Sequence, residues 1–241
     1  MNFFTFGDHM DFIANPMGMF TRQHFFALFL LMMLGILIVK HYLQKEGALT
    51  LRRQMAIAIL FLEVIRQIVF LITRSHAWEF LPLHLCAFGV FLILIDAYYE
   101  NDYTKEIIFM LTLPGAFIAL ITPDWATNPL LNFFTIQSFL IHALEVIYIV
   151  MRYCSSEIKP RLKNIWMPTL FLIIVVPVIM LINRVLETNF FFLTTGPEGT
   201  PLEILQAQFG SFYLISLIVL LLIVWLLMYA MLNMKNRFSK N

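Results

Sequence analysis

Charge is what this sequence has least of. Only 13% of its 241 residues are Asp, Glu, Lys or Arg, against 61% hydrophobic residues. A soluble domain of this length has no use for that much apolar surface, so a water-soluble globular fold is excluded. The net charge of +1 and the absence of any basic patch exclude nucleic acid as a partner. With only two cysteines, Cys86 and Cys154, no disulfide framework exists. Neither internal repeats nor low-complexity linkers divide the chain, so one domain over residues 1–241 is expected. The stretch from Met1 to His24 lacks a basic segment followed by an apolar run and a small-residue cleavage site, so no cleavable signal peptide is expected.

Apolar runs are abundant. Seven can be counted: Phe25 to Tyr42, Met55 to Thr73, Pro82 to Tyr98, Ile107 to Thr122, Phe133 to Met151, Ile165 to Asn183 and Ser211 to Leu232. Each approaches the roughly 20 residues that carry a helix across about 30 Å of hydrocarbon. The fold class read here is all-α, a polytopic membrane protein of seven transmembrane helices. Leu113-Pro114-Gly115 and Pro177 are candidate kinks in the fourth and sixth.

The basic residues orient the bundle. Lys40, Lys45, Arg52, Arg53, Lys105, Arg152, Lys159, Arg161, Lys163, Lys235, Arg237 and Lys240 fall at one end. Only Arg22, Arg74 and Arg184 fall at the other, and Arg66 lies within the second helix. The positive-inside rule then puts the N-terminus outside and the C-terminus in the cytoplasm. The two cysteines come to lie on opposite sides, with Cys154 a cytoplasmic bystander. The expected location is a bacterial cytoplasmic (plasma) membrane. Trp125, after Thr122-Pro123-Asp124, suits the headgroup level. The last outer connection, Arg184 to Gly210, carries Phe190-Phe191-Phe192 and a short helix candidate from Pro201 to Gln208. It reads as an interfacial anchor or as a lid at a lipid-entry rim.

Polar residues inside these helices are the functional candidates, because each is costly in hydrocarbon. Cys86 opens the third helix within Leu81-Pro82-Leu83-His84-Leu85-Cys86. Counted from Pro82 at 1.5 Å per residue, its depth is about 6 Å, near lipid ester level. Glu63, Arg66 and Gln67 share one face of the second helix, as an internal ion pair or a headgroup site. Thr135, Ser138, His142 and Glu145 form one stripe on the fifth. Ser138 and Thr135 have the alternative of bonding their own backbone. Asn183 ends the sixth helix, and Asp96 reads as an interfacial carboxylate.

A thiol in apolar surroundings is inert without a base. His142, with Glu145 one turn away to orient it, would supply one; His84, two residues from Cys86, diverges from it on a helix and lines the outer mouth instead. The Cys–His pairing gives thiolate attack on an ester, an acyl-thioester, then transfer. No metal and no cofactor is expected. The competing reading is a non-enzymatic transporter or lipid carrier built on the Glu63, Arg66, His142 and Glu145 cluster.

The chain resembles the YwaF/transmembrane protein 164 family of seven-helix membrane proteins from the second helix onward. The resemblance lies in Leu81-Pro82-Leu83-His84-Leu85-Cys86, Leu120-Ile121-Thr122-Pro123-Asp124, Phe139-Leu140-Ile141-His142, and Asn183-Arg184 followed by Thr188-Asn189-Phe190. It implies a membrane acyltransferase of phospholipids, with Cys86 and His142 as the catalytic pair and a phospholipid or lysophospholipid as substrate. Glu63, Arg66, His84, Ser138, Glu145, Asn183 and Asn189 are then the candidate substrate-binding residues. Two departures stand out: Phe190 where tyrosine is expected, and Phe209-Gly210-Ser211-Phe212-Tyr213 in place of a Trp/Pro-rich run. Both fall in the lid region rather than on the Cys–His pair.

Overall fold

The computed structural model describes residues 3–4, 16–44, 48–73 and 78–238, the last six of these as backbone only. Lys45, Arg74 and Lys240 of the charge pattern lie outside the described residues. Among the described residues all regular structure is helical: α1 (Arg22–Gln44), α2 (Ala48–Ile72), α3 (Leu85–Tyr98), α4 (Asp102–Ile107), α5 (Leu113–Ile121), α6 (Phe133–Cys154), α7 (Trp166–Leu186), α8 (Pro201–Phe209) and α9 (Tyr213–Phe238). They make seven spans long and apolar enough to cross a membrane. This is an integral membrane protein, and hydropathy finds its spans because every backbone polar group in lipid must be bonded within its own helix.

Helix α6 runs through the middle of the bundle, with α1, α2 and α5 packed on it, while α2 also packs along α3. Its buried face includes Phe139, Ile141, Ile147, Tyr148 and Met151. Helices α7 and α9 are peripheral; Leu181, Val185, Leu226 and Leu227 are exposed as lipid-facing residues must be.

The fourth span is helical through Pro114, from Asp102 to Ile121. Pro114 has no N–H to offer Met110 four residues earlier. The chain meets this with one π-helical turn, Ile108–Thr112, between α4 and α5. The Met110 carbonyl accepts from Trp225 Nε1 of α9 at 2.7 Å. A carbonyl deprived by proline thus becomes the tie that holds the last helix.

The third span departs from the expected boundary in a way that matters. Residues 81–84 are not helical, and α3 is only 14 residues long. At 1.5 Å per residue it reaches about 21 Å, short of the hydrocarbon thickness. Irregular backbone therefore enters the bundle ahead of α3, which membrane proteins tolerate only where protein or a cavity surrounds it.

At the basic end of the bundle the ionic side chains are buried together. Arg152 and Asp96 are both fully enclosed and paired, and Tyr148 donates to the same carboxylate at 2.8 Å. Arg152 Nε also reaches Glu157 Oε2 at 2.8 Å. Arg52 bonds Glu100, which Lys105 meets at 3.2 Å, and Tyr42 donates to Glu157 at 2.5 Å. Asp96 is thus enclosed in an ion pair, and Arg52 and Arg152 do more than set topology: the network ties α1, α2, α3 and α6 together.

Candidate functional site

The early start of the irregular segment sets the level of Cys86. It is the second residue of α3, half-buried, and it lines one cavity with His142 and Glu145 of α6. His142 lies nine residues along α6, about 14 Å from its start. The thiol thus shares a cavity with a histidine well along α6. The cavity has a volume of about 20 Å³ and is also lined by Glu63, Arg66, Ala87, Gln137, Ser138 and Ile141. Three helices, α2, α3 and α6, thus contribute to it.

At the thiol, the helical ladder begins with Phe88 N–H to His84 O at 3.2 Å. The N–H groups of Leu85, Cys86 and Ala87 come before it and lack ladder partners, as at any helix start. The Ala87 N–H faces the Cys86 sulfur. A helix N-terminus favours a developing oxyanion at that spot.

His142 is held on two sides. Its Nδ1 lies 2.6 Å from the Ser138 carbonyl. A carbonyl only accepts, so Nδ1 carries the proton and Nε2 keeps the lone pair of a base. The indole of Trp125 stacks on the ring, centroids 5.0 Å apart and planes at 25°. Trp125 thus packs against the site through His142. Glu145 is not the orienting group: its two carboxylate oxygens are buried with no hydrogen-bond partner among the described residues.

Glu63 Oε1 accepts from Arg66 Nη2 and from Gln67 Nε2, each at 2.8 Å, and Gln67 continues to the Phe80 carbonyl at 2.9 Å. The i, i+3, i+4 face read from the sequence is thus one network, and it both pairs internally and borders the cavity. Gly89 lets α3 come close here. A Cβ on it would lie 2.5 Å from Thr112 Cγ2 and 2.9 Å from Glu145 Oε1.

Three of the nine candidates lie elsewhere. His84 is the residue ahead of α3, where its ring meets Phe190 and Phe192 at 5.2 and 5.0 Å. Asn183 is a clasp: its Oδ1 accepts from Phe190 N at 2.8 Å and Thr188 Oγ1 at 3.1 Å, and its Nδ2 donates to Phe190 O at 3.0 Å. Asn189 likewise spends its amide on Thr194 and Thr195. Both asparagines shape the loop. That loop holds Phe191 and Phe192 at positive φ (61° and 52°) and sets Phe191 edge-on to Phe88 at 5.6 Å, next to the start of α3.

Gln137 was missed as a candidate, although an amide within a spanning helix is itself a signal. Its Oε1 is buried and unpartnered among the described residues. No three His, Cys, Asp or Glu side chains come together as a metal ion would need, among the described residues. A second cavity, about 790 Å³, lies along α1, α5 and α6, its walls almost wholly apolar apart from Lys40 and Gln44 at one end. Helix α6 is the wall between the two cavities: His142 and Glu145 face one, Ala143 and Val146 the other.

Seven spans around a small polar cavity with a thiol and an imidazole define the class: a seven-helix integral membrane protein with a polar site inside the bundle. The TMEM164 family profile matches residues 19–229, and the chain belongs to that family. No curated protein and no solved structure matches it.

Proposed function

We propose that the protein is a cysteine-dependent acyltransferase that moves a fatty acyl chain between membrane lipids. The observation that carries this reading is the shared cavity of Cys86 and His142, with Nδ1 of the imidazole committed to the Ser138 carbonyl and Nε2 left as base. In the first half-reaction Nε2 takes the thiol proton and the thiolate attacks the ester carbonyl. The unladdered N–H groups at the start of α3 and the Arg66 guanidinium face the oxyanion that develops. The tetrahedral intermediate expels the lysolipid alkoxide, which takes the proton from His142, leaving an acyl-thioester on Cys86. An acceptor hydroxyl then repeats the steps in reverse.

By the positive-inside rule the buried ion network marks the cytoplasmic end, the N-terminus lies outside, and the site is reached from the outer leaflet of a bacterial plasma membrane. The loop clasped by Asn183 and Asn189 acts as its lid. The test is transfer of a labelled acyl chain from phospholipid to lysophospholipid by the purified protein. Cys86→Ala abolishes it, and His142→Gln lowers it by a factor of about 10²–10⁴. Transfer by Cys86→Ala at the wild-type rate would refute the proposal.

A further inference from the structure

The cavity holds more acceptors than donors. Glu145 Oε1 and Oε2 and Gln137 Oε1 are all buried, all without a hydrogen-bond partner among the described residues, and both side chains line the cavity shared by Cys86 and His142. A carboxyl that keeps its proton still leaves one oxygen, and the amide oxygen, as acceptors. Unmet acceptors in a low-dielectric interior are unstable. The volume of about 20 Å³ exceeds the ~10–15 Å³ that one water needs, and a buried water seeks two to four polar partners. Arg66 is turned to Glu63 through Nη2 at 2.8 Å, and its Nε, also buried without a hydrogen-bond partner among the described residues, is a donor on the same cavity.

Building on the acyl-transfer reading, we infer that this cavity binds one water, held by Glu145 and Gln137, and that the water makes the protein a lipid acyl hydrolase whenever no acceptor lipid is present. The water lies in the same cavity as the base and the acylated sulfur. In the acyl-enzyme, His142 Nε2 takes one proton from the water as its oxygen bonds to the thioester carbonyl carbon. The C–S bond breaks, and the thiolate recovers that proton from the imidazolium. The products are a free fatty acid carrying the water's oxygen and the Cys86 thiol, so atoms and charge balance. An acceptor hydroxyl competes for the same place beside Nε2, so acceptor concentration sets the partition between hydrolysis and transfer.

The experiment uses the full chain in detergent with acyl-labelled phosphatidylcholine in H₂¹⁸O, with and without added lysophospholipid. Without acceptor, the wild type releases fatty acid bearing one ¹⁸O, and Cys86→Ala releases none. Added lysophospholipid suppresses this release as transfer rises. Gln137→Leu, which removes one of the water's partners, lowers the ratio of hydrolysis to transfer about tenfold, the effect of one hydrogen bond. The wild-type ¹⁸O result stands whether or not that variant folds. Acyl-Cys86 that forms and transfers with no ¹⁸O in any fatty acid overturns the hydrolytic inference alone, as does a folded Gln137→Leu protein, transferring at the wild-type rate, whose ratio of hydrolysis to transfer is unchanged. Absence of acyl-Cys86 overturns the transfer reading and this one together.

Discussion

The buried pair Arg152–Asp96 offers an asymmetric test of how the basic end holds the bundle. Both side chains are fully enclosed, but their other partners differ. Arg152 also bonds Glu157 through Nε at 2.8 Å, whereas the Asp96 oxygen that meets Arg152 has otherwise only the Tyr148 hydroxyl. Arg152→Met therefore strands a buried carboxylate, a change that costs about 3–5 kcal/mol. Asp96→Asn leaves the guanidinium on Glu157 and leaves Tyr148 an acceptor, so it costs about 1.5–3 kcal/mol, one hydrogen bond to a charged group. The double variant loses less than the sum, because the stranded charge is gone. Reversible unfolding in mixed micelles at fixed detergent composition, followed by circular dichroism, reads all three. Equal losses for the two single variants, or strict additivity in the double, would refute the reasoning.

Other expectations follow from the same geometry. Gly89→Ala places a methyl against Thr112 and Glu145, and destabilises the bundle by about 1–3 kcal/mol with a parallel loss of acyl transfer; unchanged stability would mean that α3 is not held at this distance. Trp125→Leu removes the stack on His142 and lowers the transfer rate, and an unchanged rate would exclude a role for that stack in the site. Burial alone pushes the Glu157 carboxyl up, but hydrogen bonds from Tyr42 and Arg152 hold it below the ordinary glutamate range; Arg52 does the same for Glu100. Depressed folded-state values mean that this stability is fully present above the unfolded glutamate pKa of about 4.3 and is lost as pH falls through the lower folded values. Thermal stability measured from pH 7 to pH 3 should decline only in that acid range, and the decline should shrink in Tyr42→Phe.

How legible was all this in the sequence? Spans defined by hydropathy alone were readable, because crossing lipid imposes length and composition together. The run from Phe133 to Met151 lies within α6 and shares its first residue. The start of α3 was not, since Leu81-Pro82-Leu83 has the same hydropathy whether coiled or helical, and only the surrounding protein permits the coil. Reading that stretch as helix made Cys86 the fifth helical residue, whereas it is the second of α3. It also rejected His84 on helical phase, whereas the structure keeps His84 from the cavity by placing it ahead of the helix, against Phe190 and Phe192. The stripe of Ser138, His142 and Glu145 was readable because it depends only on the 3.6-residue period within one helix. Partners from distant segments were not. Arg152 looked like a topology signal and Asp96 like an interfacial charge until α3 and α6 were side by side. Asn183 could not be told from a ligand, because a clasp and a binding site use the same amide.

The central claim is that the Cys86 sulfur carries the acyl chain. The protein, incubated with acyl-labelled phospholipid and quenched in acid, should yield a peptide containing Cys86 heavier by one fatty acyl group, with the label released by neutral hydroxylamine and formed more slowly in His142→Gln. Label on no cysteine, together with undiminished acyl transfer, would contradict the account.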